Sequence, residues 1–143
     1  NVPTAPQPGS PIVAPVVSPT ATLTPAPPAA RTGLPYSLLG IAHDDFCPGE
    51  YILGQVLNAS GAPVAGARVA YVDQWGNRDS TTTKSVATDY GNYDFPIGAR
   101  ARDFYVTVVD EAGNALSETI FIQHRQGVST ASSCHHVVWI ATR

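Results

Sequence analysis

Side chains of the kinds that bind metal ions stand next to the two cysteines of this sequence. His43 and Asp45 come shortly before Cys47, and His135 follows Cys134 directly. Imidazole and carboxylate groups are common ligands of zinc and other transition metals in proteins. A bridge between the cysteines would bring these three side chains within reach of one another, and a metal site is one interpretation of the cluster.

The neighbouring His136 favours the other interpretation, in which these residues are solvated ends of strands. Consecutive residues of a strand point to opposite faces, so His135 and His136 cannot both face His43. We therefore expect no bound metal and no other cofactor.

Motifs of covalent, hydrolytic and phosphate chemistry are absent from the sequence. It has no G-x-S-x-G nucleophile elbow, no H-E-x-x-H zinc motif and no glycine-rich phosphate loop. The net charge is −3 and the chain has a single lysine, so it has no basic stripe to neutralise nucleic-acid phosphates. We expect a protein that has no catalytic residues, is not an enzyme and binds no nucleic acid.

The two cysteines lie at the two ends of the part of the chain that has the composition of a folded domain. An even number of cysteines in an exported protein is usually bridged, and the Ser-, Thr- and Pro-rich N-terminal sequence suggests export. A Cys47–Cys134 disulfide would close a loop of about 87 residues and stabilise the fold by about 4.5 kcal/mol in the chain-entropy model. Two unpaired, buried cysteines are the alternative.

Residues 1–42 have the composition of an extended arm. Ten of the 13 prolines fall within the first 35 residues, and Arg31 is the only Asp, Glu, Lys or Arg before residue 43. Proline lacks an N–H and restricts the residue before it to extended conformations, so polyproline-II backbone is expected. The arm is either a passive cell-wall linker or a docking segment.

Two kinds of residue in the arm could contact other molecules. Threonines beside prolines resemble O-glycosylated stalks, and the candidates for glycosylation are Thr20, Thr22 and Thr24. Apolar residues could anchor the arm on another copy of the chain, and these are Ile12, Val13, Val16, Val17 and Leu23.

Residues 43–143 show strand-length runs separated by turn residues, which predicts an all-β domain behind an apolar bridge, Leu34–Ile41. In Asp103–Asp110 the apolar residues alternate cleanly with the others. No stretch has a persistent 3.6-residue period, so we expect almost no helix. Seven strands are predicted: Glu50–Leu57, Ala67–Asp73, Thr81–Thr88, Tyr93–Ile97, Asp103–Asp110, Ala115–Gln123 and Cys134–Thr142.

Three stretches of this region resemble the carboxypeptidase-regulatory-like (transthyretin- or prealbumin-like) domains of bacterial surface proteins. They are Gly54–Val56, Gly61–Val69 (GAPVAGARV) and Thr88–Phe95 (TDYGNYDF). The resemblance covers about residues 52–110 and implies a seven-stranded Greek-key sandwich of the Ig-like or transthyretin-like kind. It also implies an accessory, stalk or adhesive module. Hydrolases with a similar sandwich end in a Tyr-Arg-Gly-Ser signature, whereas this chain ends Ile140–Arg143.

Exposed aromatic side chains could form a ligand face on such a sandwich. Trp75 and Tyr90 both fall in predicted turns, where their rings could stack on the sugars of surface glycans. A tryptophan that caps the end of the sandwich is the alternative interpretation. Asn58 opens an Asn-Ala-Ser sequon in another turn and is a candidate for N-glycosylation.

Two functions follow as expectations. The first is a non-enzymatic structural subunit of a cell-surface assembly or filament, in which the arm of one copy docks on the next. The second is an accessory module that binds carbohydrate or another adhesive ligand, carried on a passive linker. We expect an extracellular protein without a transmembrane segment, because no run of about 18 apolar residues occurs, and with Asn1 exposed by removal of a signal peptide.

Overall fold

The computed structural model describes residues 24–25, 33–125 and 132–143 of the 143-residue chain, and for residues 24, 25, 45, 46, 132 and 133 it describes the backbone alone. Within these ranges the chain is all-β, and its single helical element is the three-residue 3-10 turn Ala87–Asp89. The strands are β1 (Thr24–Pro25), β2 (Tyr36–Cys47), β3 (Tyr51–Leu57), β4 (Arg68–Asp73), β5 (Arg78–Thr82), β6 (Asn92–Pro96), β7 (Arg102–Val109), β8 (Ile120–His124) and β9 (Ser132–Ala141).

The strands form two sheets that pack as a sandwich. One sheet has the order β1-β2-β9-β3-β6, in which β1 is a two-residue addition to four longer strands. The other has the order β5-β4-β7-β8. All neighbouring strands are antiparallel except β3 and β9, which pair in parallel from Tyr51 opposite Cys134 to Leu57 opposite Ile140.

The core lies between the sheets and follows the alternation of side chains along each strand. In β7, Phe104, Val106 and Val108 are buried, whereas Tyr105 between them is exposed. Apolar residues from both sheets meet in one cluster, whose largest members are Trp139, Tyr93, Phe95, Phe104 and Ile52.

Apart from the two-residue β1, the sandwich has eight strands and not the predicted seven, because β2 spans Tyr36–Cys47. The sequence indicated only an apolar bridge, Leu34–Ile41, and placed the start of the domain at residue 43, which falls inside β2. A register shift between Leu38 and Gly40 interrupts the alternation that marks a strand. The partner of β2 is β9, which lies about a hundred residues later in the chain. No local sequence pattern therefore predicts the pairing.

Two other strands differ from their predicted bounds for a similar reason. β5 is an exposed edge strand rich in polar residues, so its sequence resembles a loop, and the prediction placed it at Thr81–Thr88. β8 begins at Ile120 and not at Ala115, because the Ser117 hydroxyl accepts the N–H of Val108 and takes the place of a backbone partner.

The same kind of hydrogen-bonded turn occurs in three of the connections between strands. In the β4–β5 turn, Asp73 Oδ1 accepts the N–H groups of Trp75 at 2.9 Å and Asn77 at 2.8 Å. The turns that begin at Asp110 and Asn58 repeat this arrangement. The fourth residue of each turn has a positive φ, which favours glycine, and these residues are Gly61, Gly76 and Gly113.

The carboxylate of Asp73 should make the free energy of unfolding depend on pH under acidic conditions. Burial alone would raise the pKa of Asp73, but hydrogen bonds from Asn77 and Trp75 and the nearby Arg102 guanidinium hold it below its ordinary value of 3.8. A carboxylate with a lowered folded-state pKa contributes stability above its unfolded pKa and loses it as pH falls through the folded pKa. We expect Asp73→Asn to lower the free energy of unfolding at neutral pH by about 1–3 kcal/mol and to flatten its fall below about pH 4.

Urea unfolding between pH 2 and pH 7 measures both effects. Asp79→Asn is the matched control, because this carboxylate lies at the exposed surface and bonds to the adjacent Ser80 N–H. Identical pH curves for the Asp73→Asn variant and the unmodified protein would contradict the prediction.

Candidate functional site

The predicted disulfide is present and joins the end of β2 to the start of β9. The Cα atoms of Cys47 and Cys134 are 5.9 Å apart, and Cys134 is fully buried. The bridge confirms the pairing expected from the sequence. A disulfide that closes most of a domain in this way indicates an oxidising environment.

Three histidines gather next to this disulfide, two from the predicted set and one that sequence reasoning missed. His43 and His135 lie opposite each other on β2 and β9, with ring centroids 4.5 Å apart. His124 of β8 joins them from the other sheet, and its Nδ1 is 2.8 Å from Nε2 of His135. His124 and His135 are buried. The alternation Ile120, Ile122, His124 could have placed His124 on the core face.

One hydrogen bond of the buried pair has a definite donor. Nε2 of His124 lies 2.9 Å from the carbonyl oxygen of Gly98, which can only accept, so this nitrogen donates. Its Nδ1 atom forms the second hydrogen bond, with Nε2 of His135. Glu50 Oε1 lies 3.7 Å from His124 Nε2 and is buried without a hydrogen-bond partner among the described residues.

The cluster links the two sheets through hydrogen-bonded rings. Both ring nitrogens of His124 are occupied, by His135 and Gly98. His136 lies on the other face of its strand, with Nε2 3.9 Å from Asp44 Oδ2. In the ranges that the structure describes, no three His, Cys, Asp or Glu side chains are placed to hold a metal ion. The third candidate of the predicted set, Asp45, has its side chain outside those ranges.

The two aromatic residues predicted to form a ligand face lie at opposite ends of the sandwich. Trp75 follows the end of β4 and is 48% exposed, with the Arg100 guanidinium 4.2 Å from its ring centroid. Tyr90 is also exposed and precedes β6. Tyr90 precedes Gly91, whose N–H donates to the carbonyl of Lys84. Lys84 follows Thr83, whose N–H donates to the carbonyl of Ala67, just before the start of β4. Trp75 follows the other end of that strand. The two rings therefore cannot contact one small ligand together.

A different aromatic pair lies on the outer face of the four-stranded sheet. Tyr105 of β7 and Phe121 of β8 are cross-strand neighbours with ring centroids 5.4 Å apart, and both are exposed. Tyr105 borders a shallow groove of about 540 Å³ that is also lined by Ala70, Val72, Ser80, Thr107 and Thr119. The alternation of β7, which buries Phe104 and Val106, could have identified Tyr105 as outward-facing.

A short part of the arm pairs with the domain. Thr24 lies opposite Ile41 and Pro25 opposite Gly40, in an antiparallel bridge on the side of β2 away from β9. The other predicted arm residues lie outside the described ranges: Ile12, Val13, Val16, Val17, Thr20, Thr22 and Leu23.

The predicted glycosylation residue Asn58 lies in an exposed turn. Its Oδ1 atom accepts from the Ser60 N–H, the Ser60 hydroxyl and the Ala62 N–H. These bonds orient the amide, and its Nδ2 atom is the one that a glycan would modify.

Together the two sheets and the bridge define a disulfide-bonded, all-β sandwich protein. No family model matches the chain, and no curated protein and no solved structure matches it either. Among the described residues there is no helix with the length and apolar content needed to cross a membrane.

Proposed function

We propose that this chain is a non-enzymatic, extracellular structural protein, a subunit of a cell-surface assembly or filament in which the N-terminal arm of one copy docks on the next. The observation that carries the proposal is the pairing of Thr24–Pro25 with Gly40–Ile41. It places part of the proline-rich arm in a strand position beside β2, which is the geometry of strand addition.

The position of β2 suits this role. It is one of the two outer strands among the four long strands of its sheet, and such strands present backbone N–H and C=O groups that pair with other chains. A contact between the arm of one copy and the sheet of another is head-to-tail, and head-to-tail contacts propagate unless a ring closes them. The disulfide holds β2 to β9 near the same edge, so the acceptor strand is anchored.

We also propose that the sandwich is a carboxypeptidase-regulatory-like domain. Two of the stretches that resemble this family pack directly on each other: a side chain at Gly91 would collide with Pro63 and Val64. The third contributes Val56, whose N–H donates to Gly91 O and whose carbonyl accepts from Val64 N–H. The residues of the resemblance therefore form one packed corner of the fold, as expected of a shared structural motif.

Deletion of residues 1–30 tests the structural function. The deleted protein should stay monomeric at concentrations at which the full-length chain forms oligomers or filaments, because the docking segment is gone. Light scattering and electron microscopy measure the difference. Deletion of residues 1–10 is the control, since it keeps all five apolar arm residues. Equal assembly with and without residues 1–30, or a full-length chain that stays monomeric, would overturn the proposal.

A second candidate function is carbohydrate binding, and the exposed Tyr105–Phe121 pair favours it. Aromatic rings beside the hydroxyl groups of Thr107 and Thr119, which bond to each other at 2.7 Å, offer both stacking and hydrogen bonding to a sugar. Under this function the protein lacking residues 1–30 binds glycans as well as the full-length chain does, so the same deletion separates the two candidates.

A further inference from the structure

We infer that the docking site is the edge of β2 at Ile41–Asp45 and that the donor strand is Thr20–Thr24 of a second copy, in the register of the Thr24–Ile41 pair. The inference rests on the proposed structural function and specifies its acceptor site, its donor segment and their alignment. In the assembly, the donor strand of each copy would leave the β2 of its own chain and pair with the β2 of a neighbouring copy.

The distribution of proline selects the donor segment. Thr20–Thr24 (TATLT) is the longest stretch without proline in the first 28 residues, bounded by Pro19 and Pro25. Proline has no N–H to donate, so the ladder that begins at Pro25 can grow only toward residue 20. Threonine is also among the residues that favour strands. These five residues are therefore the part of the arm best able to form a strand.

The observed pairs determine the register of the donor. The bridge is antiparallel, with Pro25 opposite Gly40 and Thr24 opposite Ile41. In the proposed docked strand each earlier arm residue would lie opposite the next later residue of β2, so Leu23 of the donor would pair with Ala42. Further pairs would therefore extend toward the end of β2 that carries the disulfide.

A groove lies beside this part of β2. It has a volume of about 340 Å³ and lies between β2 and β8, and Ile41, Ala42, Phe121 and Ile122 line it together with His43, Gln123 and His135. Ile41 belongs both to the observed bridge and to the groove wall. Phe121 is 50% exposed, so a strand docked here would bury apolar surface that the described residues leave open to solvent.

Exchange between copies needs no new kind of contact. Among the described residues the bridge joins Thr24 and Pro25 to β2, and Pro25 has no N–H to donate. The same backbone pairs form whether donor and acceptor belong to one chain or to two, so exchange costs little. The local concentration of neighbouring copies then decides the outcome, and crowding on a surface raises it.

Disulfide trapping between two single variants tests the inference with the full-length chain. Leu23→Cys protein is mixed with Ala42→Cys protein under mild oxidation, and the products are separated without reductant and mapped by mass spectrometry. We expect a heterodimer bridged between positions 23 and 42 in at least about ten-fold excess over the matched control mixture, because docking raises the effective thiol concentration. The control pairs Leu23→Cys with Val86→Cys, an exposed position between β5 and β6 on the opposite edge of the sandwich.

The outcomes separate this inference from the proposed function. An excess of the 23–42 heterodimer over the 23–86 control supports the inference. Arm-dependent assembly without that excess overturns the inference and leaves the proposed function standing. A chain that stays monomeric overturns both. An intramolecular bridge in the Leu23→Cys/Ala42→Cys double variant, with no heterodimer from the mixture, supports the register but overturns exchange between copies.

Discussion

Replacing Cys47 and Cys134 together by alanine should lower the free energy of unfolding by about 4 kcal/mol. The bridge closes a loop that spans 87 positions, and the chain-entropy model gives about 4.5 kcal/mol for a loop of this length. Small domains have about 5–15 kcal/mol in total, so the variant should be close to unfolding at 37 °C. Equilibrium urea unfolding monitored by circular dichroism measures the loss.

Reduction of the unmodified protein provides the matched control for this change. Dithiothreitol should destabilise the unmodified protein by a similar amount and leave the double-alanine variant unaffected. The double variant is preferable to either single one, because a single substitution leaves a thiol that can react. A loss below about 1 kcal/mol would show that the sandwich does not depend on the bridge.

Replacing Trp139 by alanine should cost about 3–5 kcal/mol, which is the range for large aromatic residues in a core. Trp139 is fully buried in β9, and its Nε1–H donates to the Tyr93 hydroxyl at 3.3 Å. That hydroxyl donates in turn to the carbonyl of Val137 at 2.8 Å, and burial raises the pKa of Tyr93 well above its ordinary value. The substitution therefore removes the largest side chain of the core and one member of a buried hydrogen-bond chain.

The second tryptophan of the sequence is the natural control. Trp75 is about half exposed in the β4–β5 turn, so Trp75→Ala should change stability by no more than about 0.5 kcal/mol. Urea unfolding followed by circular dichroism compares the two variants by one method, because this signal does not depend on the emission of the tryptophan that each variant removes. Similar losses from Trp75→Ala and Trp139→Ala would contradict the assignment of Trp139 to the core.

The histidine cluster shows why a site can be anticipated only in part. The sequence indicated that the residues around Cys47 and Cys134 come together, because a bridge between distant cysteines leaves few other arrangements. It did not indicate His124, which lies on another strand in the opposite sheet. The ring of His124 occupies Nε2 of His135 and links the two sheets, so this nitrogen already has a hydrogen-bond partner.

The sequence by itself determined the all-β class and the positions of most turns, and it favoured the disulfide. These features depend on local chemistry: alternation in β7, glycine at the positive-φ position of the turns, and two cysteines in an exported composition. The tertiary structure alone decided that β2 belongs to the sheet and that β3 and β9 pair in parallel. It also decided that Trp75 and Tyr90 lie at opposite ends of the sandwich. Such pairings join residues that are far apart along the chain, and their free energy comes from burial and backbone bonds that no local pattern contains.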